Sequence, residues 1–221
     1  MSRKVSVVEK VHSVNDQLAA EIQLQLQEAG LFSINLMASP GAGKTSLIEK
    51  TLAEFDSAYA VAAIDGDVAT SIDADRAAQA GATAVQINTG GQCHIDAAML
   101  RSALEKLDLA TFDLLIVENV GNLICPASFS LGTDKNVLIA SIPEGDDKPY
   151  KYPTMYQDVD ALIINKIDLL PYIDFDMEYF QQGVEMLNPG LITFPISCKT
   201  GEGLAGWIKW LTTHIQTDNP S

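Results

Sequence analysis

Four short stretches of this 221-residue chain hold residue types that can do chemistry at spacings that let them act together. The first is Pro40-Gly41-Ala42-Gly43-Lys44-Thr45-Ser46, which follows an apolar run and precedes a helical pattern. Glycines in that setting let backbone N–H groups converge on a phosphate, and the N-terminus of the following helix adds its dipole. Lys44 can reach the β- and γ-phosphates of a nucleotide, and the Thr45 hydroxyl can ligate Mg²⁺. The full phosphate-loop pattern G-x-x-x-x-G-K-[ST] opens on glycine, and Ala38 stands there instead, the smallest departure available. The second stretch is Glu118-Asn119-Val120-Gly121, at the end of an apolar run. A carboxylate closing a buried strand beside a phosphate loop suits Mg²⁺, and Gly121 can approach a γ-phosphate. Asp65-Gly66-Asp67 and Asp73-Ala74-Asp75 lie between these motifs. One of their carboxylates can complete the Mg²⁺ shell and another can orient the attacking water; a solvated acidic helix start is the alternative. The reading assigns Thr45, Asp73 and Glu118 to Mg²⁺ and Asp67 to the water, which makes Lys44, Asp67 and Asp73 the expected catalytic set.

The third stretch, Asn165-Lys166-Ile167-Asp168, resembles the guanine-reading N-K-x-D motif of G proteins. An Asp carboxylate can accept from both N1–H and the exocyclic N2–H₂ of guanine, and adenine offers no such donor pair. Ser197-Cys198-Lys199 resembles the S-A-K loop that backs the base, with Cys198 as a small packing residue in place of alanine. The expected ligand is therefore GTP or GDP.

The fourth is Cys93-His94 with Cys125. Thiolate and imidazole suit Zn²⁺ or Ni²⁺. Their separation, 125 − 93 = 32, is no finger or ribbon spacing. Two thiols and one imidazole are too few for a closed tetrahedral site, but a two-fold dimer would bring two sets together. The expectation is a metal site at a homodimer interface, favoured by GTP and coupled to it because Cys125 follows directly from Gly121.

Elements must place these stretches side by side. Apolar runs of strand length occur at 31–37, 59–64, 84–87, 114–118, 137–142, 161–164 and 191–195. Helical patterns lie after the phosphate loop and at 95–107, 177–187 and 204–215. Strands apolar on both faces that alternate with helices imply a mostly parallel sheet covered on both sides, an α/β P-loop NTPase fold of three layers, α/β/α. Val14, Leu18, Ile22 and Leu26 mark a first helix over 14–29, capped by Ser13 and ended by Gly30. One domain over 1–221 is expected, with residues 1–30 as a helical extension and 216–221 as a frayed tail.

Composition narrows the partners. Lys and Arg number 14 against 29 Asp and Glu, a formal charge of −15, which repels nucleic acid and anionic membranes. Met1-Ser2-Arg3-Lys4-Val5 has no apolar signal core behind it, and no apolar run spans a bilayer. Three cysteines fit a reducing compartment, so the cytoplasm is expected.

Five segments together resemble one family: S-P-G-A-G-K-T at 39–45, G-G-Q-C-H-I-D at 90–96, E-N-V-G-N-L-I-C-P at 118–126, E-G-D-D-K-P-Y-K-Y-P at 144–153 and N-K-I-D at 165–168. They are similar to the HypB hydrogenase maturation GTPases, which help insert nickel into [NiFe]-hydrogenases, and the likeness covers nearly the whole chain. It implies a slow GTPase that dimerises around nucleotide. It also implies Zn²⁺ or Ni²⁺ on Cys93, His94 and Cys125, a HypA-like accessory protein docking near Asn15-Asp16, and the hydrogenase large subunit as client. Lys148 and Lys151 sit in a polar loop rich in turn formers; in a dimer either could reach the partner's nucleotide, and two solvated lysines are the alternative. No cysteine precedes Cys93, and only His12 precedes His94, so the Cys-rich and His-rich nickel segments of some members are not expected. The alternatives are a urease-type or cobalamin-type accessory GTPase, or a nucleotide switch with structural zinc.

Overall fold

A computed structural model describes residues 7–67 and 71–218, so the opening pentapeptide and the last three residues of the tail lie outside it. Among the described residues, seven strands form one sheet: β1 (Phe32–Ala38), β2 (Val61–Asp67), β3 (Thr83–Asn88), β4 (Leu114–Glu118), β5 (Lys135–Ser141), β6 (Ala161–Asn165) and β7 (Ile192–Pro195). Their order is β3-β2-β4-β1-β5-β6-β7, and every pairing is parallel. The expected mostly parallel sheet is thus wholly parallel. β1, β4 and β6 are buried along their full length, as strands covered on both faces must be.

Helices α1 (Val7–Glu28), α2 (Lys44–Phe55), α3 (Ile72–Gln79), α4 (Ala97–Leu104), α5 (Lys148–Lys151), α6 (Thr154–Gln157), α7 (Met177–Leu187) and α8 (Leu204–Asp218) cover the two faces. On one face Leu47, Ile48 and Phe55 of α2 and Trp207 and Leu211 of α8 pack on Phe32, Ile34, Leu114 and Ile116. On the other, α1 and α4 cover Leu115 and Val117, and α7 covers Leu162 and Ile164. Alternate residues of each central strand feed opposite cores, as a period of two requires.

Three expectations change at the termini. α1 begins at Val7, so Ser13 lies inside it and not at its N-cap position. Its buried face is Asn15, Ala19, Ile22 and Leu26, and Val14 is 56% exposed. A strict i, i+4 row turns about 400° per step and so drifts about 40° off one face, whereas alternating steps of four and three stay on it. Gly30 does end the helix: at φ +66° it donates to the Gln27 carbonyl while Leu31 N–H donates to Leu26, a Schellman closure. Ile22 and Leu26 of α1 are buried in the same core cluster as Leu115 and Val117. α8 carries the chain in helical form through Asp218, where a frayed segment was expected from 216.

Candidate nucleotide and metal sites

The phosphate loop leaves β1 at the centre of the sheet, where β1 lies between β4 and β5 and ligands of open α/β sheets bind. Gly41 at φ +76° and Gly43 at φ +109° take left-handed conformations that residues with a Cβ rarely adopt. A Cβ on Gly43 would stand 2.4 Å from Asn165 Nδ2. Ala38 has an ordinary negative φ at the end of β1, so its methyl group imposes no change in the loop entry. α2 then starts at Lys44, and its first N–H groups open toward the loop.

The residues expected to read the base assemble at the ends of β6 and β7. Asn165 is 1% exposed; its Nδ2 donates to the Ala42 carbonyl at 2.9 Å. Lys166 is held at φ +64°, an uncommon place for a side-chain-bearing residue, and its Nζ donates to the Gly41 carbonyl at 2.6 Å. The lysine stem therefore lies along the edge of the phosphate loop. Asp168 Oδ1 accepts from Ser197 Oγ at 2.6 Å, which orients the carboxylate. Ser46, Asn165, Lys166, Asp168, Cys198 and Lys199 line one open cavity of about 330 Å³. Cys198 is buried, and that burial pushes its thiol up to about 11.

On the other side of the loop three carboxylates converge. Asp65, Asp73 and Glu118 each bring an oxygen within 4.8 Å of the others. Glu118 accepts from Thr45 Oγ1 at 2.8 Å and lies 3.9 Å from Lys44 Nζ. Burial pushes Glu118 up to about 7 against the pull of Lys44. Burial, then the fields of Asp73 and Asp67, push Asp65 to about 6. Asp65 Oδ2 is fully buried with no hydrogen-bond partner. An orphaned carboxylate oxygen in an all-oxygen cluster beside the Lys44 loop fits a hard divalent cation. Asp65 is the residue that sequence reasoning left out of the set. It pairs with Glu118 across β2 and β4, a relation fixed by sheet order. Asp67 and Gly121 line the same cavity, at about 330 Å³. A Cβ on Gly121 would sit 3.0 Å from Pro40 backbone, a tight approach that a larger residue would meet only by shifting Pro40 a few tenths of an ångström.

The thiols and imidazole meet as well. Cys93 Sγ is 2.7 Å from Cys125 Sγ and 3.9 Å from His94 Nδ1. The three form a second cluster of potential ligands, half open to solvent. The Cys125 thiol holds Cys93 above its ordinary pKa, and burial lowers His94, favouring the neutral ring that ligates metals. His94 stacks on Phe129 with centroids 3.9 Å apart, and His12 meets the same ring at 5.0 Å. Asn15 ties both segments to α1: its Nδ2 donates to Ser130 O at 2.8 Å and its Oδ1 accepts from Ala97 N at 2.9 Å. Asn15 is thereby enclosed, whereas Asp16 beside it is exposed. Lys151 is paired with Asp147 one turn away, whereas Lys148 lines a cavity with Ser39, Gly121, Asn122 and Glu144.

These features agree with what the chain is similar to. A family described as CobW/HypB/UreG, nucleotide-binding domain, matches residues 32–195. The hydrogenase maturation factor HypB of Rhizobium leguminosarum bv. viciae is 43% identical over 209 residues, 95% of this chain and 70% of that protein. The hydrogenase/urease maturation factor HypB of Helicobacter pylori strain 26695 is 40% identical over 216 residues, 96% of this chain and 88% of that protein. A crystal structure of Helicobacter pylori HypB in complex with nickel superposes with a TM-score of 0.88 at 38% identity, over 94% of this chain and 97% of that one. The chain belongs to the HypB hydrogenase maturation factors, within the CobW/HypB/UreG family of P-loop GTPases.

Proposed function

We propose that this chain is a GTP-hydrolysing metallochaperone that carries nickel for [NiFe]-hydrogenase, with the Cys93, His94 and Cys125 set completed across a GTP-linked homodimer. The observation that carries the reading is the continuity of one segment: Glu118 lies in the carboxylate cluster and Cys125, seven residues on, lies in the thiol cluster. The nickel complex of the Helicobacter pylori relative supports nickel as the cargo. Two thiolates and an imidazole bind Ni²⁺ and Zn²⁺ alike, so zinc is the competitor in the same site.

At the nucleotide, Asp168 accepts from guanine, Lys44 and the loop N–H groups hold the β- and γ-phosphates, and Gly121 faces the γ-phosphate. Thr45, Asp73 and Glu118, joined by Asp65, hold Mg²⁺, which when bound offsets the phosphate charge. Asp67 orients the attacking water, giving slow hydrolysis to GDP and phosphate. The reset of the 118–125 segment then loosens the metal for transfer. A HypA-like accessory protein meets the N-terminal helix at its exposed Asp16 side, and the hydrogenase large subunit receives the nickel, in the cytoplasm. Among the described residues no helix is long and apolar enough to cross a membrane. Of the two lysines, Lys148 is the one proposed to meet the partner's nucleotide, because it lines the cavity beside Gly121 whereas Lys151 pairs with Asp147.

The test measures bound Ni²⁺ and Zn²⁺ and oligomeric state in one sample, with GDP and with a non-hydrolysable GTP analogue. Delivery requires dimer and nickel affinity to change together with nucleotide. Equal affinity in both states, with zinc retained throughout, would leave a nucleotide switch with structural zinc. The Helicobacter relative's name includes urease, so apo-urease belongs beside apo-hydrogenase in a transfer assay.

A further inference from the structure

Asn122 follows Gly121 directly and precedes Cys125 by three residues. It reaches three segments. Its backbone N–H donates to the Ala38 carbonyl at 2.8 Å, pinning the segment to the entry of the phosphate loop. Its Nδ2 donates to the Cys93 carbonyl at 3.1 Å. Its Oδ1 accepts from Ile124 N–H at 2.9 Å, the peptide immediately before Cys125. One side chain thus fixes the main chain at the first thiol residue and next to the second.

A second amide makes the contrast that gives this arrangement direction. Asn119 is fully buried, and its Oδ1 accepts from Ile95 N–H at 3.1 Å. Its Nδ2 donates to Asn35 at 3.1 Å, and Asn35 in turn donates to Asn136 at 3.1 Å, so Asn119 is held to β1 and, through Asn35, to β5. The Cys93–His94 turn therefore hangs from the 118–125 segment at two points. One is anchored in the sheet. The other adjoins Gly121, which lies so close to the phosphate loop that an added Cβ would meet Pro40 backbone at 3.0 Å.

We infer that Asn122 is the positioning residue through which the nucleotide state sets the affinity of the thiol site for nickel. This rests on the metallochaperone reading above. A displacement of Gly121 by a γ-phosphate moves Asn122 relative to the fixed Asn119, and that motion changes the placement of Cys93 against Cys125. The role calls for a donor and an acceptor on one short branch: Asp has no donor, Ala has neither, and Gln is a methylene too long.

The experiment titrates Ni²⁺ into the full chain loaded with Mg²⁺ and either GDP or a non-hydrolysable GTP analogue, for the native protein, Asn122→Ala and Asn122→Asp. Wild type is expected to show an affinity ratio between the two states of about tenfold or more, within the usual span of allosteric coupling. Both variants are expected to bring that ratio within about twofold, because both lack the donor to Cys93. GDP affinity, measured alongside, reports on the nucleotide site. A merely structural amide would weaken nickel binding in both states by the same factor, and a preserved ratio in either folded variant overturns the inference. A wild-type ratio of one overturns the metallochaperone reading instead. Asn122→Asp keeps the acceptor for Ile124 and carries the test if Asn122→Ala does not fold.

Discussion

Asn165 donates from Nδ2 to the Ala42 carbonyl at 2.9 Å, so the residue that opens the guanine motif also braces the phosphate loop. Its Oδ1 accepts from Lys166 N–H at 2.7 Å and from Cys198 N–H at 3.2 Å. Three loops from three different strands thus close on one buried amide. One amide holds the phosphate loop and both loops of the candidate base site in a fixed relation, the kind of preorganisation that lowers the cost of binding.

Asn165→Ala leaves the Ala42 carbonyl and two N–H groups without that partner. Each buried group left unpaired costs about 1–3 kcal/mol. The variant is expected to lose stability of that order in urea unfolding and about tenfold or more in GDP affinity, since 1.4 kcal/mol is about a factor of ten. Unchanged values in both would remove Asn165 from this bracing role.

Asp168 is oriented by Ser197, whose hydroxyl donates to it at 2.6 Å. Asp168→Asn replaces an acceptor with a donor opposite the N1–H and N2–H₂ groups of guanine. GTP affinity is expected to fall by about a hundredfold or more, as for other sites built to pair a specific donor. Xanthosine triphosphate, with an oxygen in place of the N2 amino group, should bind the variant better than GTP does. A competition titration between the two nucleotides reads this directly.

Some of this architecture is visible along the chain and some is not. β4 at 114–118 and α7 at 177–187 are legible to the residue. One is a short apolar run closed by an acid; the other starts on Asp176, which caps it by accepting from Tyr179 N–H. The phosphate loop and N-K-x-D are legible because their chemistry is local. Asp65 is not, because its partners Asp73 and Glu118 come from α3 and β4. The roles of Asn15, Asn119 and Asn122 are hidden for the same reason: an amide's hydrogen-bond partners are set by tertiary structure. α5 and α6 are not legible in the sequence because four residues are too few to show a helical period.

Ile22 tests whether α1 is a layer of the domain. It is 0% exposed, in the core that also holds Leu115 and Val117. Ile22→Ala is expected to destabilise the whole domain by about 2–5 kcal/mol in a single unfolding transition. A separate early transition, with the rest unchanged, would make the helix an appendage.

Cys198 is expected to alkylate slowly. Burial raises its pKa to about 11, so at pH 8 about one thiol in a thousand is ionised, against about one in four for an ordinary cysteine. The thiolate is the reactive form, so the rate should keep rising toward pH 11 instead of levelling off near pH 9. Measured in a Cys93→Ser, Cys125→Ser background, modification should slow further with GDP, because Cys198 lines the cavity of the base motif. Rapid modification at pH 8, indifferent to nucleotide, would place the thiol elsewhere.

Cys93→Ala and Cys125→Ala separate the metal site from the nucleotide site. The two sulfurs lie 2.7 Å apart, so either truncation removes half of the thiolate donors a protomer can offer. Thiolate supplies most of the affinity for soft divalent metals, so each variant is expected to lose tight Ni²⁺ and Zn²⁺ binding. Neither sulfur lies among the residues that line the base or phosphate cavities, so GDP affinity should be unchanged. In a site shared across a dimer, each truncation removes two donors at once, one from each protomer. Mixing Cys93→Ala with wild type should then give dimers of intermediate affinity, whereas a site held within one chain would give only the two parental affinities. Metal content by mass spectrometry, with dimer fraction by gel filtration in the GTP-analogue state, distinguishes the cases, and unchanged nickel in both single variants would remove these cysteines from the site.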